Sequence, residues 1–173
     1  EIGNIAKHIM DTPIVHTSGS VALEVFKSNK NAGVFYPLQT FNKNVEVCLK
    51  EVPICIEANN KDFEKEIIKL AQNISENVVK MDSKQRKQLH IAAVFSCNFT
   101  NQMFAISDSI LEKSNIDFKL LLPIIKQTVN KLKTKKAIEV QTGPAKRKDL
   151  EIIKQHLKLI SNCLLYTSPS PRD

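Results

Sequence analysis

The chain has 173 residues, of which 42% are hydrophobic and 25% charged, and its formal net charge is +7. This length suits one domain or one and a half small ones, and no apolar run approaches the roughly 20 residues that a membrane span needs. The basic surplus could suit phosphate-bearing ligands or nucleic acid, but lysines such as Lys131, Lys133, Lys135 and Lys136 more often solvate helix surfaces.

The first 81 residues alternate short apolar runs with helical patterns. Ser20 is predicted to cap a short helix, and Asn60 is predicted to cap a helix over about Asp62–Ile74. The predicted strands are Ile14–His16, the run that stops near Pro37, about Ile54–Glu57, and 77–81. This alternation predicts an α/β layer with a mainly parallel sheet.

After Met81 the pattern is all helical. The letters "DSKQ" predict a capping-box-like start at Ser83 for a long helix over about 84–112. A second helix is predicted over about 118–133, with a kink or a late start because of Pro123, and a last one over about 148–160. We therefore expect α/β followed by all-α: a sheet domain over 1–81, a helical domain over 82–162, and a tail over 163–173.

Three polar residues interrupt the apolar pattern of the long helix. At about 100° per residue, His90, Asn98 and Asn101 share a narrow strip between two apolar sides. A helix that is apolar on two sides is expected in a domain centre or in a subunit interface. Since buried polar groups need partners, the strip is either a satisfied structural network or the polar wall of a ligand pocket.

Two polar loops follow predicted strands. Thr17, Ser18 and Gly19 belong to "HTSGS", and Gln39 and Thr40 belong to "PLQT". Ligands bind at the carboxyl ends of strands in open α/β sheets, so the two loops could converge on one site. An ordinary turn is the alternative for each loop.

Several site motifs are missing from the sequence. The four cysteines form no CxxC, which argues against a zinc site or a redox pair and favours a reducing cytoplasm. Neither GxSxG nor HExxH occurs, so a hydrolase elbow and a metal site have no support. The missing GxGxxG is an objection to a dinucleotide enzyme.

The last residues, "CLLYTSPSPRD" over Cys163–Asp173, break the preceding pattern. They resemble the translated read-through of an adapter used in sequencing libraries, so we interpret them as a non-native, disordered tail. A natural Pro-Ser-rich tail is the alternative, and neither kind should pack.

Five motifs together carry a family resemblance: "VHTSGS", "GVFYPLQTF", "ICIEAN", "LHIAAVFSCNFTN" and "QTGPAKRKD", in this order. The chain resembles the bacterial Rossmann-like oxidoreductases with a helical C-terminal domain of unknown function (DUF2520 type). These are relatives of pyrroline-5-carboxylate reductase, ketopantoate reductase and F420-dependent NADP oxidoreductase. The resemblance covers about Ile14–Ser161.

The resemblance implies an oxidoreductase that uses NADP or NAD and acts on a small-molecule substrate. The fold would be the C-terminal part of a Rossmann-like parallel-sheet domain plus a helical domain like that of 6-phosphogluconate dehydrogenase. Because the glycine-rich fingerprint of the family lies upstream, we expect an N-terminally truncated fragment that is inactive alone. A homodimer through the C-terminal helices is expected, whereas nucleic acid and membrane are not expected as partners.

The resemblance also assigns roles by position. His90 would be a proton donor or carbonyl polariser, Asn98 and Asn101 would orient the substrate, and Lys87 could stand in for a catalytic lysine. The residues expected to approach the nicotinamide or to close the cleft around it are His16, Thr17, Ser18, Gly19, Gln39 and Thr40.

Two other functions remain open. A nucleotide-sensing or scaffold protein could use the same fold without turnover, since fold does not determine function. A basic nucleic-acid-binding module is the third hypothesis, although no contiguous basic patch and no aromatic–basic interleaving are evident.

Overall fold

The structure is a computed structural model that describes residues 2–6 and 11–164. Most of the predicted tail, from residue 165 onward, lies outside these residues. The chain divides between Thr100 and Asn101 into two units. The predicted domain boundary between residues 81 and 82 stays a prediction.

The first unit contains a four-stranded sheet in the order β1-β2-β3-β4. The strands are β1 (Ile14–His16), β2 (Ala32–Pro37), β3 (Ile54–Ala58) and β4 (Val78–Lys80). Two pairs, β1 with β2 and β3 with β4, are parallel, and β2 with β3 is antiparallel. All four predicted strands are confirmed. Because β1 and β2 are parallel, the loops that follow them leave the same edge of the sheet.

The helices of the first unit begin with α1 (Ile2–Ala6), α2 (Lys61–Gln72) and α3 (Ser83–Ala93). The predicted cap of α2 is confirmed, since the Asn60 side chain accepts a hydrogen bond from the amide of Phe63 at 2.9 Å. Five buried side chains of β3 and α2 form one core cluster: Ile54, Ile56, Phe63, Ile67 and Ala71. These contacts bury one face of the sheet.

Helix α3 is tied to the sheet by a buried ion pair. Its start is a capping box, in which Asp82 accepts from the Gln85 amide at 2.7 Å and Gln85 accepts from the Asp82 amide at 3.1 Å. Arg86, only 1% exposed, donates to the carboxylate of Glu57 on β3. The Ser83 hydroxyl donates to the same carboxylate at 2.8 Å. These bonds set the rotation of α3 against the sheet.

One expectation about the first unit is wrong. Ser20 does not cap a helix: the short 3-10 turn over Leu23–Phe26 follows Ala22, which makes no side-chain cap. Ser18 organises this turn instead, because its hydroxyl accepts from the Val21 amide at 3.2 Å. The predicted long helix over about 84–112 is confirmed, with a π-helical turn over Val94–Phe99 inside it.

The second unit is all helical. After the π turn, α4 covers Thr100–Glu112, and a 3-10 turn over Phe118–Leu121 leads into α5 (Leu122–Lys131). The late start that Pro123 predicted is confirmed, with the proline in the first turn of α5. The helices that follow are α6 (Ala137–Val140), α7 (Pro144–Arg147) and α8 (Leu150–Leu164). The last helix therefore includes the first two residues of the predicted tail.

The predicted burial of the long helix in a domain centre is wrong for this chain. No described residue from 94 to 112 is buried, although Phe104 is half-buried and its ring contacts Phe118. The other expectation, a subunit interface, stays a prediction.

Candidate functional site

A cavity of about 370 Å³ lies in the first unit, where the chain that leaves β2 faces α3 and the π turn. Its volume is within the range of small-molecule sites. It is lined by Tyr36, Leu38, Gln39, Thr40, Phe41, His90, Ala93, Val94, Cys97 and Asn98. The cavity therefore lies at the carboxyl end of β2, where open α/β sheets bind ligands.

A tyrosine and a histidine form the polar wall of this cavity. The Tyr36 hydroxyl and Nδ1 of His90 are 3.0 Å apart, at hydrogen-bond distance, and the two rings meet edge to face. Burial raises the pKa of Tyr36, so the phenol keeps its proton at neutral pH. Nε2 of His90 makes no hydrogen bond to any described residue. The wall thus offers a ligand one imidazole nitrogen whose ring orientation the tyrosine holds.

Gly19 brings the "HTSGS" loop onto this pair. A Cβ at this position would lie 2.7 Å from Nδ1 of His90 and 2.7 Å from Cζ of Tyr36, closer than real Cβ contacts allow. Only a residue without a side chain fits, so the loop covers the two rings at van der Waals distance. The structure therefore places the first predicted loop against the predicted catalytic histidine.

His16 forms the base of the same loop and is buried at 5% exposure. Its Nδ1 accepts from the Ser18 amide at 3.2 Å, and its ring contacts Phe26. Burial lowers the pKa of His16, and the positive charge of Arg86 lowers it further, while the Ala22 carbonyl and the Glu57 carboxylate act in the opposite direction. The imidazole is neutral at physiological pH and supports the loop; it does not line the cavity.

The structure brings some predicted site residues together and separates others. His90, Asn98, Gln39 and Thr40 line the cavity. Within the second loop, Gln39 accepts from the Thr40 amide at 2.8 Å. The predicted site residues that do not line it are Lys87, His16, Thr17, Ser18, Gly19 and Asn101.

The π turn changes the spacing on which the polar strip was predicted. A π turn is wider than an α turn, so each residue of Val94–Phe99 advances less around the axis than the 100° that the sequence argument assumed. Asn101 belongs to the second unit, so its place beside His90 stays a prediction.

Sequence reasoning missed Tyr36 and Cys97. Tyr36 stands two residues after Val34 in β2, and both side chains are buried in one cluster with Cys55. A buried phenol needs a polar partner, and that rule could have directed attention to Tyr36. In the described part of the chain, no group of three or more His, Cys, Asp or Glu side chains could hold a metal ion.

Residues 52–170 match the protein family described as a domain of unknown function (DUF2520). The chain belongs to this family. No curated protein is significantly similar in sequence. Among the helices of the described residues, none is long and apolar enough to cross a membrane.

Three solved structures are similar to the chain. A protein of Bacteroides fragilis, named as a candidate NADP oxidoreductase, is 42% identical with a TM-score of 0.83; the match covers 86% of this chain and 57% of that protein. A protein of Thermotoga maritima is 24% identical with a TM-score of 0.76, covering 95% of this chain and 70% of that one. A candidate oxidoreductase of Mycobacterium avium is 13% identical with a TM-score of 0.53, covering 95% and 64%.

The last two structures show the fold alone. Together with the family match, they confirm the predicted architecture: a Rossmann-like α/β part followed by helices. The chain spans 57% of the length of the Bacteroides fragilis protein, so what the whole of that protein does is not assigned to this chain by the match.

Proposed function

We propose that the chain carries the substrate end of the active site of an NAD(P)-dependent oxidoreductase. The reaction would transfer a hydride between nicotinamide and a carbonyl or imine carbon of a small metabolite. The observation that carries the proposal is the Tyr36–His90 pair on the wall of a 370 Å³ cavity at the carboxyl edge of the sheet. The name of the Bacteroides fragilis relative supports the reaction class.

The cavity lining suits the nicotinamide end of the cofactor, which carries no phosphate. Gln39 and Thr40 offer an amide and a hydroxyl group for the carboxamide, and Leu38 and Phe41 offer an apolar wall for a flat ring. No lysine or arginine lines the cavity, so its residues do not hold the phosphates. When bound, a reduced nicotinamide supplies the hydride. Whether the cofactor is NADP or NAD depends on groups that contact the ribose.

His90 handles the proton in this proposal. In its protonated form, Nδ1–H donates to the Tyr36 oxygen, and Nε2–H donates to the carbonyl oxygen or imine nitrogen of the substrate. As the substrate carbon is reduced, the Nε2 proton moves to that heteroatom and the ring becomes neutral, with its remaining hydrogen still bonded to Tyr36. Asn98 orients the substrate. The proposed roles of Asn101 in orienting the substrate and of Lys87 as a stand-in for a catalytic lysine remain, although neither residue lines the cavity.

The test follows the loss of dihydronicotinamide absorbance. The chain is incubated with NADPH or reduced nicotinamide mononucleotide, together with small aldehydes, ketones and cyclic imines. Reduced nicotinamide mononucleotide carries the end of the cofactor that the cavity fits, without the adenosine part. The resemblance predicts that the chain is inactive alone with NADPH, whose adenosine part needs the missing fingerprint. With reduced nicotinamide mononucleotide we expect slow turnover, and His90→Gln should lower it by about 10²–10⁴-fold.

Gln88→Ala is the matched control, because Gln88 is exposed on the same helix and should leave turnover unchanged. Turnover that His90→Gln does not reduce would contradict the role of His90. Binding of NADPH without any turnover would favour the alternative, a nucleotide-sensing or scaffold protein on the same fold.

A further inference from the structure

We propose that this cavity selects an uncharged substrate: a small aldehyde, ketone or imine with an apolar substituent, in preference to an oxo acid. The inference rests on the proposed function for its reaction, while the charge preference of the cavity can be measured separately.

The walls of the cavity carry no permanent charge. None of its lining residues is a lysine, arginine, aspartate or glutamate. The polar groups are hydroxyls, amides, one thiol and the His90 imidazole, which the reacting heteroatom of the substrate would occupy. The reacting oxygen or nitrogen of the substrate engages the His90 ring, so a carboxylate elsewhere in the cavity would lose part of its water without a charged partner of its own, which is costly.

The nearest cations along α3 are not available to a ligand. Arg86, one turn before His90, is 1% exposed, and its guanidinium is bound by the Glu57 carboxylate and the Val21 carbonyl. Lys87 is exposed and does not line the cavity. Neither of these two cations therefore lines the cavity, although the chain as a whole carries a net charge of +7.

The remaining wall is apolar. Leu38, Phe41, Ala93 and Val94 line the cavity together with the uncharged polar groups. A hydrocarbon substituent on the substrate would displace water from these side chains, which is favourable. With a volume near the lower end for small-molecule sites, the cavity suits a compact substrate.

The charge preference of the cavity can be measured from the alkylation rate of Cys97. It lines the cavity, whereas Cys48 is also exposed but lies outside it. The full chain is alkylated with iodoacetamide, which is neutral, and with iodoacetate, which is anionic, and rates are read at each cysteine by peptide mass spectrometry. We expect the neutral-to-anionic rate ratio to be about tenfold higher at Cys97 than at Cys48. An equal or lower ratio at Cys97 would overturn the proposal.

Val94→Lys adds a cation to the cavity wall and should lower the ratio at Cys97, while Val94→Gln, which adds no charge, should not. A ratio that stays high in Val94→Lys would also contradict the proposal, because the preference would then not be electrostatic.

Turnover of a matched pair completes the test. Butanone and pyruvate are both methyl ketones, but butanone carries an ethyl group where pyruvate carries a carboxylate. Faster reduction of butanone supports the inference, and faster reduction of pyruvate overturns it while the oxidoreductase function stands. If neither is reduced but the alkylation ratio remains high, the charge preference stands and the proposed reaction fails.

Discussion

The two units of this chain bury their apolar side chains to very different extents. In the first unit, Ile56 of β3 is 1% exposed; in the second, Leu157 of α8 is 61% exposed. None of residues 101–160 is buried. A sheet with a helix on its face closes a core within 100 residues, whereas the helices of the second unit, which have no sheet to pack on, leave apolar side chains such as Leu157 and Leu159 exposed. Surfaces of that kind are usually interaction sites, and the homodimer through the C-terminal helices stays a prediction.

The largest difference in stability between the units should appear when a carboxylate is removed from each, because Glu57 of the first unit belongs to a buried ion pair. Glu57→Ala leaves the Arg86 guanidinium buried without a counter-charge, so the free energy of unfolding should fall by about 3–5 kcal/mol. Urea denaturation measures this change. Glu112→Ala, an exposed carboxylate of the second unit, is the control and should change stability by no more than about 0.5 kcal/mol. Equal losses would contradict the structural role of the pair.

Core truncation compares the units directly. Ile56→Ala should lower the free energy of unfolding by about 2–5 kcal/mol, because it leaves a cavity under α2. Leu157→Ala should leave the unfolding of the single chain nearly unchanged, since this side chain is already exposed. If the helices do form a dimer interface, Leu157→Ala should instead weaken association in sedimentation experiments. A large loss of single-chain stability in Leu157→Ala would show that α8 belongs to a core.

Gly19 and Gly143 should respond to substitution for different reasons. Gly19→Ala should cost about 1–3 kcal/mol, because its Cβ would press on His90 and Tyr36, and it should also change the alkylation rate at Cys97. Gly143→Ala meets nothing within 4 Å but occupies a φ of 103°, so it should cost about 1 kcal/mol through backbone strain alone. The Cys97 rate should stay unchanged in Gly143→Ala, and a change there would contradict this distinction.

The smallest expected effect is the contribution of His16 to the pH dependence of stability. Because burial lowers the pKa of His16 below its usual 6.5, the fold favours the neutral imidazole. The stabilisation is present above pH 6.5 and is lost as pH falls through the lower, folded-state pKa, since the unfolded state then binds more protons. His16→Gln should remove this part of the pH dependence in urea titrations of the first unit. An unchanged slope in His16→Gln would show that other groups cause it.

Much of the first unit could be predicted because its signals are local. Four strands and the Asn60 cap follow from apolar runs and turn chemistry, and the bounds agree within about two residues. The candidate site was only partly predictable. His90 stood out as a polar residue in an apolar helix, but Tyr36 looked like an ordinary strand residue. Its importance depends on a partner 54 positions away.

The sequence alone determined the order of strands and helices, the family, and the residue types available for chemistry, because periodicity and motifs are properties of neighbouring residues. Only the tertiary structure decided which of those residues meet. The π turn interrupts the regular spacing by which Asn101 was grouped with His90. The antiparallel β2–β3 pairing makes β3 and β4 run opposite to β1 and β2. Likewise, the ion pair with Glu57 holds the Arg86 guanidinium buried against the sheet. Each of these depends on contacts between distant segments, which no local pattern specifies.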